Sequence, residues 1–149
     1  MKKLEDSLPT KLKSSSLISK LNRVNQQILL AKESDEGVLG KMEFKKLVVR
    51  VVAMHGIKEL PSKEIMALCY DSWLSKFSLQ MKVQELHLAF EMNVNGDFNI
   101  KEKGEVVSRK VNHYQCFSRE FFCDVLNQYL SERDAVSYTH LTLPTKRIV

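Results

Sequence analysis

The stretch from Glu85 to Arg133 constrains the fold of this chain more than any other. It begins with the amphipathic run ELHLAFEM, passes through an Asn-Gly pair and a polar stretch, and ends with the aromatic-rich run FSREFFCDVLNQYLSER. Apolar residues at spacings of three and four give each run one apolar face, which is typical of an amphipathic helix. Asn95-Gly96 is a sharp turn signal, and Ser118 is a suitable N-cap for the second run. The stretch predicts two helices separated by a polar loop or a short irregular hairpin.

Helical spacing also recurs in the first half of the chain. It predicts helices near 17–28, over 41–55, from Ser62 and from Ser78. The second of these contains KLVVRVVAM, whose valines also suit a β-strand. We favour a helix because no second apolar strand of similar strength is present to pair with it. The inward-facing residues of the third and fourth helices are predicted to be Ile65, Leu68, Cys69, Trp73, Phe77, Leu79, Val83, Leu86 and Phe90.

The fold class follows from these helices. We predict an all-α protein, a compact bundle of about five short helices with a polar loop before the last one. Hydrophobic residues make up 44% and charged residues 28% of the chain, which is typical of a globular domain and argues against disorder. Residues 1–136 are expected to form a single helical domain, in which 1–14 is a flexible basic arm.

The last thirteen residues, SYTHLTLPTKRIV at 137–149, differ in character from the rest. They show neither the pattern of a capped helix nor that of an alternating strand. The string closely resembles translated sequencing-adapter read-through at the ends of open reading frames from metagenomic assemblies. We therefore expect a non-native tail and exclude it from fold reasoning. The alternative is a genuine disordered terminus.

Membrane and redox signals point to the cytoplasm. No apolar run approaches the roughly 20 residues that span a bilayer, and no apolar segment follows the N-terminal lysines as in a secretory signal. The chain has three cysteines, an odd number, which suits reduced thiols in a cytosolic protein. We expect a cytoplasmic protein with no membrane partner.

The charge is mildly basic. The formal net charge is +5, of which Lys146 and Arg147 in the tail contribute two, leaving +3. Part of this excess lies in the first 33 residues, which makes the N-terminal arm a candidate phosphate contact. The predicted nucleic-acid-binding residues are Lys11, Lys13, Lys20 and Arg23. The alternative is a solvated helix face.

Residues 91–102 nearly follow the calcium-loop pattern, with Gly96 at its sixth position. Glu91 stands where a compact Asp is usual, and Lys103 follows the loop where an exit helix would continue. An ordinary Asn-Gly turn is the favoured interpretation.

Zinc is the other candidate metal. His113, Cys116 and Cys123 carry suitable ligand atoms, with Cys69 or His87 as a fourth ligand. Packing is favoured, because no Cys-x-x-Cys pair exists and Cys123 lies within a helical pattern. A Cys116–His113 nucleophile and base pair has no nameable oxyanion donor, and no phosphate-binding glycine loop is present. We expect no cofactor and no enzymatic activity.

Several short motifs between 56 and 133 carry a family resemblance. They are AFE at Ala89, Phe90 and Glu91, a small-residue turn at Gly96, HY and F at His113, Tyr114 and Phe117, and L..Y...R at Leu126, Tyr129 and Arg133. This succession resembles a group of small bacteriophage and mobile-element proteins associated with DNA replication, of the helicase-loader or replisome-organiser kind. The resemblance implies a non-catalytic accessory factor that binds nucleic acid or a replicative helicase. The alternative is a small helical protein–protein interaction module with no nucleic-acid role.

His113, Tyr114 and Phe117 are the candidate partner-binding residues. Their rings suit either base stacking or a hydrophobic dock. Tyr114 and Phe117 alternatively form a hydrophobic staple at the start of the last helix. The staple is the favoured interpretation, because Phe117 directly precedes the Ser118 cap and Phe122 stands at the fourth helical position.

Overall fold

The structure, a computed structural model, describes the backbone of residues 23–34 and 38–148 and the side chains up to position 136. The elements in chain order are α1 (23–32), α2 (Lys41–Met54), α3 (Lys63–Ser75), a 3-10 turn (Phe77–Leu79), α4 (Val83–Asn95), β1 (Ile100–Glu102), β2 (Glu105–Ser108) and α5 (Arg119–Ile148). The described part is therefore a helical bundle with one two-stranded sheet, and the all-α prediction is confirmed. The predicted arm at 1–14 lies outside the described residues.

Local signals in the sequence set several helix ends. Ser62 Oγ accepts a hydrogen bond of 3.2 Å from Ile65 N, and Ser118 Oγ accepts one of 3.0 Å from Phe121 N. Both are side-chain N-caps that satisfy a backbone donor of the first turn. Gly96 ends α4 in the left-handed conformation, at a φ of 70°, where a residue without Cβ fits best. The valine-rich run is α2, so the prediction of a helix there is confirmed.

The start of the fourth helix was wrong in the sequence prediction. A 3-10 turn occupies Phe77–Leu79, and α4 begins only at Val83. Glu85 Oε1 accepts a 2.8 Å hydrogen bond from Lys82 N, which satisfies a donor at this later start. Leu79 is 80% exposed, because the turn breaks the register that would align it with the inward face of α4. Leu68 is 51% exposed, since the inward stripe of α3 runs through Cys69, Ser72 and Trp73.

The polar loop contains the hairpin that the sequence left as an alternative. Strands β1 and β2 pair antiparallel, with Lys101 opposite Val106 and Glu102 opposite Glu105. Lys103 and Gly104 form the turn with φ values of 53° and 85°, the backbone that a tight two-residue hairpin requires.

The core is aromatic and centres on Phe122 of α5. Its ring centroid lies 5.7 Å from that of Phe44, 6.2 Å from that of Phe77 and 5.9 Å from that of Phe90. One side chain thus joins α2, the 3-10 turn and α4 through edge and offset contacts. Trp73 is 2% exposed, as predicted for an inward-facing residue of α3.

Helix α5 continues to Ile148, through the segment whose sequence shows no capped-helix pattern. The prediction that 137–149 is non-native stays a prediction. Within the described residues, no helix is long and apolar enough to cross a bilayer.

Candidate functional site

Tyr114 stands apart from the other residues that carry the resemblance. Of the ten, it alone is mostly exposed, at 82%, whereas the others are buried or half-buried. Phe117 is 2% exposed, and its ring lies 6.3 Å from that of Phe122, so Phe117 is the staple residue that the spacing favoured. Phe117 lies in the core and offers no surface to a partner, and Tyr114 takes no part in the staple.

Tyr114 is held outward by an unusual backbone. Tyr114 and Gln115 both have left-handed φ values, 51° and 59°. Each such residue other than glycine costs on the order of 1–3 kcal/mol, and such strain clusters at binding sites. Asn112 Oδ1 accepts a hydrogen bond of 2.8 Å from Tyr114 N, and His113 Nδ1 accepts one of 2.9 Å from Gln115 N. Residues 112–116, hereafter the Tyr114 loop, are therefore fixed by their own side chains.

Asn93 of α4 anchors the chain just before the Tyr114 loop. It is fully buried, its Oδ1 accepts from Val111 N at 2.6 Å, and its Nδ2 donates to Val111 O at 3.3 Å. Both backbone groups of Val111 are thus satisfied by one amide side chain, which sets the height of the loop above α4. Nδ2 also donates to His55 Nε2 at 2.9 Å, while His55 Nδ1 donates to Val51 O.

His55 and His113 form the inner wall beneath the loop. Their ring centroids are 5.9 Å apart, and each ring meets Phe121 edge-on, at 5.3 and 5.8 Å. Burial lowers the pKa of His55, and the nearby charges of His113 and Lys110 lower it further, against the hydrogen bond to Val51 O. Both rings are packed against the core, so His113 positions the loop rather than presenting a face to solvent.

Four basic residues lie along the hairpin and the chain that follows it. They are Lys101, Lys103, Arg109 and Lys110, hereafter the basic hairpin. Arg109 Nη1 donates a hydrogen bond to Asn99 Oδ1. The Lys110 side chain lies close to Gly96, since a Cβ added at Gly96 would be 3.5 Å from Lys110 Cε. In the part of the chain with described side chains, the three lysines form no salt bridge. All three lysines are exposed, and Lys110 lies two residues before the Tyr114 loop in the chain.

The hairpin is fixed to the bundle through α5. Glu132 Oε2 accepts from Asn99 N at 2.8 Å, and Glu132 Oε1 accepts from Asn99 Nδ2 at 3.1 Å. Gln128 Nε2 donates to Asn99 O at 3.4 Å and to Glu132 Oε2 at 2.8 Å. The start of the hairpin is therefore held against α5 by hydrogen bonds.

The calcium-loop and zinc alternatives do not match this geometry. Glu91 belongs to α4 and pairs with Arg50 at 3.2 Å, so residues 91–95 form a helix and not a calcium loop. Burial raises the pKa of the Cys69 thiol to about 12, which opposes the thiolate that zinc needs. Among the described residues, no group of three or more His, Cys, Asp or Glu side chains is placed to hold a metal ion.

Of the four predicted nucleic-acid-binding residues, only Arg23 is among the described residues. Arg23 lies on the exposed side of α1, whose inner side carries Val24 and Ile28. Lys11, Lys13 and Lys20 lie outside the described residues. The basic hairpin was missed as a candidate site, because this polar stretch was predicted only as a loop or a short irregular hairpin without a binding role. The available signal was a Lys-Gly turn flanked by lysine on one side and an Arg-Lys pair on the other.

In comparisons with known proteins, no family model, curated protein or solved structure matches this chain.

Proposed function

We propose that this protein is a non-catalytic accessory factor that binds single-stranded nucleic acid through the Tyr114 loop and the basic hairpin. The DNA-replication setting comes from the sequence resemblance to phage and mobile-element proteins, with a replicative helicase as the other expected partner. The observation that carries the binding proposal is Tyr114, which is 82% exposed on two consecutive left-handed residues and follows the exposed Arg109–Lys110 pair in the chain.

The chemistry of the two parts is complementary. An exposed aromatic ring stacks on an unpaired base and contributes about 1–3 kcal/mol per base, with little preference for sequence. Lysine and arginine side chains near the strand contact phosphates and release condensed counterions. Tyr114 supplies the ring, and the basic hairpin supplies the charge.

The rigidity of the Tyr114 loop also supports a binding role. The Tyr114 loop is fixed by Asn93 through Val111 and by its own side chains at Asn112 and His113. The ring is therefore presented without a large loss of backbone entropy on binding, which increases affinity. A duplex-reading role for α4 is disfavoured, since that helix buries Leu86, Leu88 and Phe90 on more than one side.

The test is binding of the full chain to a fluorescein-labelled twenty-nucleotide oligothymidine, followed by anisotropy over a salt series. We expect binding at low salt that weakens as salt rises. The triple variant Lys101→Ala, Lys103→Ala, Lys110→Ala should reduce the slope of log K against log salt by about 2, at roughly 0.7 per lost phosphate contact. A matched control, Lys46→Ala with Lys58→Ala and Lys63→Ala, removes three exposed charges outside the hairpin.

A further variant separates the hairpin from the N-terminal arm. Neutralising Lys11, Lys13, Lys20 and Arg23 tests the contact predicted from sequence. Loss of binding in this variant with an unchanged hairpin variant would assign the contact to the arm. No binding at low salt, or equal losses in the hairpin variant and its control, contradicts the proposal.

A further inference from the structure

A second surface, independent of the Tyr114 loop, lies between α2 and α3. It is an open groove of about 360 Å³. Its floor consists of Phe44, Met66, Ala67 and Tyr70, and its rim carries Lys41, Lys45 and Lys63. Ligand clefts in proteins commonly measure about 300–1,000 Å³, so the groove has room for one or two apolar side chains.

The floor of the groove is fixed before any ligand arrives. Phe44 is 2% exposed, with its ring 5.1 Å from that of Tyr70 and 5.7 Å from that of Phe122. Tyr70 Oη donates a hydrogen bond of 2.8 Å to Leu39 O, which ties α3 to the segment before α2. The groove is thus a shaped recess over the aromatic core.

The rim has an excess of positive charge. The three lysines face one carboxylate, Asp71, at the edge of the groove. Within the part of the structure that includes side chains, none of these four groups forms a salt bridge. An occupant with carboxylates around an apolar anchor is complementary to both the rim and the floor.

We propose that this groove binds an acidic amphipathic segment of a partner protein, which inserts apolar side chains onto the floor and pairs its carboxylates with the lysines. This is the helix-in-groove mode, in which anchors at helical spacing supply affinity and charges supply orientation. A nucleic acid fits less well, because the Phe44 ring is 2% exposed and offers no open face on which a base could stack.

The experiment uses the full chain and a fluorescein-labelled synthetic peptide of sixteen residues, with leucines at helical spacing and glutamates elsewhere. A second peptide has lysine in place of every glutamate. Anisotropy titration should show saturable binding of the acidic peptide and none of the basic one. Lys45→Glu and Lys63→Glu should each weaken binding about fivefold, as expected for exposed ion pairs.

Two further variants test the groove itself. Ala67→Trp fills the recess from an exposed helix position and should abolish binding. Asp71→Asn removes the repulsive carboxylate and should strengthen binding severalfold, a gain that damage to the fold does not produce. Lys46→Glu and Lys58→Glu are the matched controls, since these lysines do not line the groove. Circular dichroism melts establish that each variant is folded.

Three results would overturn the proposal: no saturable binding of the acidic peptide, binding that survives Ala67→Trp, or binding unaltered by Asp71→Asn. A different result would assign the groove to nucleic acid instead: oligothymidine displaces the peptide from the parent chain but not from Lys45→Glu. Since Tyr114→Ala should leave peptide binding unchanged, failure here is distinguishable from failure of the proposed function.

Discussion

The hydroxyl of Tyr129 donates a 2.8 Å hydrogen bond to Glu85 Oε2 inside the core, joining α5 to α4. Glu85 is 1% exposed and accepts from Arg133 Nη1 at 3.1 Å through the same oxygen. Arg133 Nη1 also donates to Gln80 O at 2.6 Å. Burial, the charge of Glu85 and the hydrogen bond together raise the pKa of Tyr129, against the opposing charge of Arg133. Tyr129 and Arg133 of the L..Y...R motif thus form a buried hydrogen-bonded cluster with Glu85, hereafter the Glu85 lock.

Because of the Glu85 lock, we expect Tyr129→Phe to lower the free energy of unfolding substantially. The substitution keeps the ring but removes a donor to a buried carboxylate, and hydrogen bonds to charged groups contribute about 1.5–3 kcal/mol to the free energy of unfolding. Urea denaturation with an unchanged m-value measures it. Tyr70→Phe is the matched control, because Tyr70 bonds a neutral carbonyl and should cost only about 0.5–1.5 kcal/mol. Equal losses in the two variants would contradict the assigned role of the lock.

Asn93→Ala is expected to loosen the base of the Tyr114 loop. It leaves the N–H and C=O of Val111 and the His55 ring without their amide partner, at about 1–3 kcal/mol for each buried group left unsatisfied. Hydrogen exchange at the Val111 amide should accelerate, and urea denaturation should show the loss of stability. Asn127→Ala on the exposed side of α5 is the control and should change neither. An unaltered Val111 exchange rate would show that the anchor is not needed.

Stability is expected to fall as the solution is acidified below pH 6.5. Burial lowers the folded-state pKa of both His55 and His87 from an unfolded value of 6.5. Above that pH both states are neutral, so the histidines contribute no pH dependence. Below it the unfolded chain binds protons first, and the free energy of unfolding decreases until the folded-state pKa is passed. His87→Gln should make the slope between pH 6.5 and 5.5 shallower, and a slope that is flat or reversed in the parent protein would refute this.

The cysteines should differ in reactivity. Cys116 is exposed, whereas burial raises the pKa of Cys69 to about 12 and leaves it almost entirely protonated near neutral pH. A chromogenic disulfide reagent at pH 8 should show a fast phase that Cys116→Ser removes and Cys69→Ser retains. Loss of that phase in Cys69→Ser would contradict the burial of this thiol.

Helix ends that depend on local signals are visible in the sequence. The serine caps at Ser62 and Ser118 and the left-handed glycine Gly96 act on the residues next to them, so these three helix ends could be predicted. The exposure of Leu79 could not, because a 3-10 turn changes the angular register without a distinctive sequence pattern.

The candidate site was less predictable. The spacing favoured a staple at both Tyr114 and Phe117, yet only Phe117 is buried, because two left-handed residues turn the ring of Tyr114 outward. Asn93 and Val111 are 18 residues apart, and Glu85 and Tyr129 are 44 apart. Contacts of this separation depend on how the helices pack, which periodicity alone does not specify.

The central claim is that Tyr114 stacks on an unpaired base, and one comparison tests it most directly. The affinity of the parent chain, Tyr114→Ala and Tyr114→Trp is measured by anisotropy for the same labelled oligothymidine and for an abasic strand of equal length and charge. We expect Tyr114→Ala to weaken binding to oligothymidine about tenfold, in keeping with the loss of one stacked base, and Tyr114→Trp to retain it. On the abasic strand the three proteins should bind alike. Equal affinity of the parent and Tyr114→Ala for oligothymidine would contradict the account.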